Sequence, residues 1–219
     1  MPPLAVCARR LEGSPVSELI AFATLGFQHI TDPRGADHIV FLLALAAIYR
    51  FKDWRECVWV VTAFTIGHSI TLALAVTRVL DLPTSLIEFL IPVTILVTAL
   101  ENLIVRDRTT AVWGRRYRPV FAGLFGLVHG AGFANYLRSL FVDSIAVPLL
   151  GFNIGLELGQ LIVIALAFVT FAAIDRVITR ITRPTRRDRP DRAVRLRTLA
   201  VSTLVMAVAA RWMLERLPW

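Results

Sequence analysis

The chain spends histidine at four positions and nowhere else: His29, His38, His68 and His129. His29 and His38 flank the stretch Thr31-Asp32-Pro33-Arg34-Gly35-Ala36, and Asp37 precedes His38 directly. His68 and His129 lie inside apolar segments further along. Imidazole is a good ligand for nickel, cobalt or zinc. An ionisable side chain at membrane depth is costly unless it pairs or holds an ion. A shared transition-metal ion is therefore the simplest common use of the four. Two carboxylates could join them, which gives an expected ligand set of His29, Asp37, His38, His68, His129 and Glu157. Asp37 and His38 are neighbours, so on one helix they diverge by about 100° and cannot both face one ion squarely. One of the two is expected to orient the other instead.

Further polar residues are spaced to stand around such a site or along a path from it. Asn153 and Glu157 are four apart and share a helix face. Thr65 and His68 are three apart. Asp32, Ser69, Gln160, Glu88 and Asn102 complete the candidates. Each also has a plainer reading. Glu157 could partner Asn153 or carry a proton, Glu88 could be wet, and Glu101-Asn102 could cap or snorkel. Ser69 beside His68 does not make a nucleophile–base pair, because adjacent residues on a helix point apart.

The elements that must position these groups are membrane helices. Of the 219 residues, 56% are apolar, and the mean hydropathy is +0.65. Several apolar runs reach the roughly 20 residues that cross a hydrocarbon core. None alternates as a membrane strand would. The expected fold is all-α: a polytopic bundle of six or seven transmembrane helices, the first two short and joined by a Pro/Gly turn. Segment I covers about 16–30, II 36–49, III 57–79, IV 84–105, V 120–141, VI from 145 past 173, and VII 198–214. The whole forms one membrane domain, with a tail at 1–15, helices I–VI and the metal site at 16–175, an Arg-rich linker at 176–197 and the last helix at 198–215. The tail lacks the uninterrupted apolar run of a signal peptide. Cys7 and Cys57 make neither a disulfide framework nor a thiolate site.

The net charge of +8 does not point to nucleic acid, because the basic residues lie between apolar runs. Stretches 50–55, 106–118 and 176–197 hold 17 of the 24 lysines and arginines. The positive-inside rule puts these in the cytoplasm of a bacterial-type inner membrane. If all seven segments cross, the N-terminus is inside and the turn at 31–36 is outside. His68 then lies about 16 Å in from the cytoplasmic face, at 1.5 Å per residue. Lipid surrounds the chain, and a second copy or another membrane protein is an open possibility. Gly151, Gly155 and Gly159 form a stripe, and Gly123, Gly126 and Gly130 lie close to one face. Both patterns read as seams for close helix packing.

The sequence resembles the HupE/UreJ family of hydrogenase and urease accessory membrane proteins. The likeness runs from about Phe22 to Phe168. It rests on Gly26-Phe27-Gln28-His29-Ile30, Gly35-Ala36-Asp37-His38, Phe64-Thr65-Ile66-Gly67-His68-Ser69-Ile70-Thr71-Leu72, Phe125-Gly126-Leu127-Val128-His129-Gly130-Ala131-Gly132-Phe133 and Phe152-Asn153-Ile154-Gly155-Leu156-Glu157-Leu158-Gly159-Gln160. The resemblance implies a nickel or nickel/cobalt permease of six or seven helices. The chain departs from some relatives in having no His-rich N-terminal segment.

Three functions stay open at this stage. A permease for a nickel- or cobalt-type divalent ion would strip the ion's water with histidines and pass it inward by Glu157 and Asn153. A membrane-embedded zinc hydrolase would use three histidines, with Asp37 or Glu157 as base. A metal-stabilised scaffold would bind another membrane protein.

Overall fold

A computed structural model describes residues 15–105, 117–138, 145–182 and 189–218. Among the described residues there are seven α-helices and no strand. They are α1 (Pro15–Thr31), α2 (Asp37–Ala46), α3 (Trp54–Val76), α4 (Thr84–Ile104), α5 (Tyr117–Arg138), α6 (Ala146–Thr182) and α7 (Arg189–Glu215). Short 3-10 turns, Pro33–Gly35 and Phe51–Asp53, precede α2 and α3. Four stretches, Phe51–Val76, Thr84–Ile104, Ala146–Thr182 and Arg192–Glu215, are long and apolar enough to cross a membrane. Their outer faces carry exposed Ile66, Ile70, Leu158, Leu166 and Leu204, as lipid contact requires. The readings of the tail, most of the second basic loop, the end of segment V and Trp219 fall outside the described residues.

Two seams of glycine set the closest approaches. A Cβ at Gly151 or Gly155 of α6 would meet the carbonyl of Leu19 or Ala23 in α1. A Cβ at Gly26 would likewise meet the Phe152 carbonyl. In the other seam, Gly67 of α3 lies on the Gly123 carbonyl, while Gly126 and Gly130 of α5 lie on those of Phe64 and His68. Apolar attraction between helices is weak in lipid, so backbone-to-backbone contact of this kind is what holds such pairs.

The order of these contacts fixes direction. Gly151, Gly155 and Gly159 meet Leu19, Ala23 and Phe27 in ascending order, so α1 and α6 run parallel. Gly123, Gly126 and Gly130 meet Ala63, Phe64 and His68 in the same sense, so α3 and α5 also run parallel. Between α4 and α5 the order is reversed, Thr94 meeting His129 and Glu101 meeting Arg118. It is reversed again between α4 and α7, where Asn102 meets Ser202 and the Leu103 carbonyl meets Arg195. Asp175 faces Arg197 where α6 turns back into α7. In α2, His38 lies beside His68 and Phe41 beside Phe64, antiparallel to α3. Hence α1, α2, α4 and α6 point one way, and α3, α5 and α7 the other.

Of the two expected counts, six and seven, this leaves six, and it corrects only the reading in which all seven segments cross and the Pro/Gly turn reverses the chain. The turn joins two helices that run in the same direction, so α1 and α2 are halves of one broken passage. The described helices make six passages along the bundle, and Pro15 and Glu215 lie at the same end of it. Pro33 lacks an N–H and keeps Asp32 out of helical geometry, which ends α1. A break of that kind is equally compatible with reversal and with continuation, and the sequence cannot distinguish them. At 10 residues α2 is only about 15 Å long. It is a core element, with Phe41, Leu42, Ala44 and Ala46 essentially inaccessible.

The Arg-rich linker is corrected too. Where a solvated stretch was expected from 176 to 197, α6 continues to Thr182 and α7 begins at Arg189. Arg197 donates to the carbonyls of Ala47 and Tyr49 (3.1 and 2.8 Å), just past the end of α2, and to Asp175 at 2.5 Å. Arg195 donates to the carbonyls of Asn102 (3.0 Å) and Leu103 (2.7 Å) at the end of α4. A helix leaves its last carbonyls unpaired, and a half-length helix ending inside the bundle leaves them buried. The guanidinium fork, with five donors, satisfies several at once.

Candidate metal centre

The helix break delivers two imidazoles to one place. His29 sits in the last turn of α1 and His38 in the first turn of α2. Side chains lean toward a helix's N-terminus. His38 therefore leans back toward the break, and its ring lies 4.7 Å from that of His29. His68 comes from the middle of α3, with ring centroids 6.1 Å from His38 and 6.4 Å from His29. One ligand nitrogen from each of His29, His38 and His68 can be chosen so that all lie within 4.8 Å of one another. His129 of α5 stands 5.1 Å from His38, ring to ring. The structure thus brings all four histidines together, three of them within metal-ligand spacing.

The surroundings are dry and aromatic. Phe133 packs at 4.0 Å from His29, while Phe152 lies 5.7 Å from His29 and 6.3 Å from His68. Phe41 and Phe64 each lie 5.2 Å from His129. His68 is 0% exposed and His129 1%. In that setting every polar atom should have a partner. Yet Nε2 of His29, Nε2 of His38, both ring nitrogens of His68 and Nδ1 of His129 are buried without one. Orphaned nitrogens on His29, His38 and His68, within ligand spacing of one another, fit a divalent ion of the nickel, cobalt or zinc kind, with the orphaned Nδ1 of His129 on a neighbouring ring.

Thr94 of α4 adds a feature that the sequence did not single out. Its hydroxyl donates to the Ile91 carbonyl at 2.8 Å and lies 2.9 Å from Nε2 of His129. One hydroxyl has one proton: when the Ile91 carbonyl takes it, the Thr94 oxygen accepts from His129 Nε2–H and the lone pair is on the orphaned Nδ1. Holding a ligand imidazole by its other nitrogen is a recurrent way of fixing a metal ligand.

The remaining candidates divide by what they touch. Asp37 pairs with Arg216, both carboxylate oxygens at 3.2 Å from Nη1, and is not among the three groups at ligand spacing. Glu157 accepts from Thr62 at 2.7 Å. Gln160 accepts from Thr65, also at 2.7 Å. These two pairs are polar rungs between α3 and α6, on the side of the histidines nearer the basic end. Asn153 lies between the rings and the rungs along α6, with a buried, unpartnered Oδ1. Ser69 donates to the Thr65 carbonyl at 2.7 Å. Asn102 belongs to the basic end, where it donates to the Ala44 carbonyl and accepts from Arg118 at 2.5 Å. Arg118 also grips Glu101, to which Tyr117 donates as well. Asp32 and Glu88 are exposed, Asp32 in the break and Glu88 on α4.

Such an assembly defines a polytopic helical membrane protein with a buried imidazole cluster at a broken helix. The chain belongs to the HupE/UreJ family, matching the family described as HupE / UreJ protein over residues 7–216. Comparison with curated proteins and with solved structures returns no match.

Proposed function

We propose that the protein is a membrane permease for a divalent transition-metal ion of the nickel or cobalt type. His29, His38 and His68 take the ion out of water, and His129 joins them through Nδ1. The carrying observation is the set of buried, unpartnered ring nitrogens that converge from three helices, with His129 of a fourth beside them. The family's association with nickel/cobalt transport-related accessory function supports the same reading. Broken helices near the middle of a bundle are where transporters commonly place their ion sites.

The charge balance favours transit over storage. The three-histidine group contains no carboxylate, so a bound dication keeps its full charge in a dry site. Conduction needs binding strong enough to admit an ion and weak enough to release it. The Thr62–Glu157 and Thr65–Gln160 rungs supply the next oxygen ligands, with one negative charge, toward the basic end. Asp32 in the break is the acidic group on the approach.

A zinc-dependent hydrolase is the second reading, favoured by one observation: three histidines leave a coordination position open. Its base would be Glu157, since Asp37 is held by Arg216. The experiment that separates them is flux of nickel, cobalt and zinc into sealed vesicles containing the purified protein. A permease moves at least one of these ions down a gradient. His68→Ala then abolishes both binding and flux, and Glu157→Gln keeps binding but loses flux. Wild-type protein that holds one ion firmly and moves none overturns the permease. A hydrolase with Glu157 as base would keep its metal in Glu157→Gln and lose turnover by about 10²- to 10⁴-fold.

A further inference from the structure

A second built site lies at the basic end, apart from the histidines. Between α6, the start of α7 and the Phe51–Asp53 turn is a pocket of about 330 Å³. Arg50, Arg176 and Arg197 line it, with Asp175 as the acidic member. Three arginines against one aspartate leave the lining positive even with Asp175 ionised. Its other wall is apolar, formed by Phe51, Phe168 and Ala172.

Two buried atoms in this lining lack partners. Arg197 is 2% exposed, and three of its donor contacts are spent on Asp175 Oδ2 and the carbonyls of Ala47 and Tyr49. Its Nε is buried with nothing to donate to. Asp175 uses Oδ2 on that arginine, and its Oδ1 is buried without a donor. A ligand that answers both brings an acceptor for the guanidinium and a donor for the carboxylate, and the three arginines favour an anionic acceptor. The apolar wall adds a third demand, a hydrocarbon portion beside the charged one. Phe51 is 70% exposed and Val177, on the same stretch of α6, 52%, so the wall continues onto the outer face of the bundle.

We propose that this pocket binds the phosphodiester headgroup of an anionic glycerophospholipid. The phosphate lies among Arg50, Arg176 and Arg197, a headgroup hydroxyl donates to Asp175 Oδ1, and the acyl chains leave over Phe51 and Phe168. Guanidinium groups suit phosphate because they offer several donors in one plane. Basic pockets between membrane helices are known to select such headgroups. The site is independent of the metal reading, because none of its residues touches the imidazole cluster. Its occupation would brace the junction where Arg197 caps α2.

The test uses the full chain, purified in detergent and mixed with phosphatidylglycerol or phosphatidylcholine. Native mass spectrometry counts retained lipid, and a thermal melt reads stabilisation. Phosphatidylglycerol should be retained and should raise the melting midpoint, and phosphatidylcholine should do neither. The double variant R50Q/R176Q keeps the Arg197 caps and should weaken retention roughly 25-fold, about fivefold for each arginine. Ala172→Trp fills the pocket without changing charge and should also lose the lipid. Arg180→Gln, on α6 outside the pocket, should behave as wild type. Equal retention of both lipids, or undiminished phosphatidylglycerol retention in both pocket variants, overturns the proposal. Stabilisation by millimolar inorganic phosphate equal to that by phosphatidylglycerol, lost in R50Q/R176Q, would assign the pocket to free phosphate and overturn the lipid.

Discussion

A single hydroxyl shows how much of the site depends on groups that are not ligands. Thr94 lies 2.9 Å from Nε2 of His129, and by accepting that N–H it would leave Nδ1 free to bind. Thr94→Val keeps the shape and removes that hold. Metal affinity should fall by about 10- to 100-fold, the usual cost of losing a group that orients a ligand. The thermal midpoint without metal should stay near wild type, and Thr94→Ser should restore binding. Calorimetric titration of metal into each variant checks this, and wild-type affinity in Thr94→Val would show that the tautomer is not held there. The four histidines were legible from their scarcity in an apolar chain. Thr94 was not, because threonines are ordinary in membrane helices and usually bond their own backbone, as Thr98 and Thr170 do here. The side chain that engages Asp37 was equally hidden, since Arg216 lies 179 residues further along.

Among elements, the two glycine seams carry the arrangement that brings the histidines together. A methyl group at Gly155 would run into the Ala23 carbonyl, which is backbone and cannot swing aside. Gly155→Ala must therefore push α1 away from α6, and His29 moves with α1. Overpacking of this kind costs about 1–3 kcal/mol. The variant should melt well below wild type in detergent and bind metal more weakly. Gly35→Ala, in the break itself, is the contrast. Nothing lies within 4 Å of a Cβ there, and it should melt as wild type does. Similar midpoints for the two variants would mean that the seam is not what holds α1. The glycine spacing announced close packing, and the structure agrees. Which helices pair was beyond reach, because a small-residue stripe gives a face without naming its partner. The long reach of α6 and the early start of α7 were obscured for a different reason. Arginines that cap buried carbonyls look, in sequence, like those of a solvated linker.

For the whole molecule, the decisive consequence is the number of passages. Seven crossings would put the ends of the chain on opposite faces of the membrane. Among the described residues the order of helix contacts gives six, with α1 and α2 sharing one, so Pro15 and Glu215 lie at the same end of the bundle. Sidedness then follows from charge. The Phe51–Asp53 turn lies beside Arg50, Lys52 and Arg55, at the end opposite Pro15 and Glu215. By the positive-inside rule we predict that the basic connections lie in the cytoplasm, with Pro15 and Glu215 toward the outer side. Reporter tags at the two ends, and a single cysteine at exposed Lys52 in a Cys7→Ser/Cys57→Ser background, read this directly. With a membrane-impermeant reagent on intact cells, both tags should react and Lys52→Cys should not, until the membrane is opened. Reaction of one tag alone would restore an odd number of crossings and make the Pro33–Gly35 turn a hairpin. Reaction of Lys52→Cys from outside, with both tags protected, would keep six passages but invert them. The Thr62–Glu157 and Thr65–Gln160 rungs would then lie on the outer side of the histidines, and the proposed direction of metal passage would reverse with them.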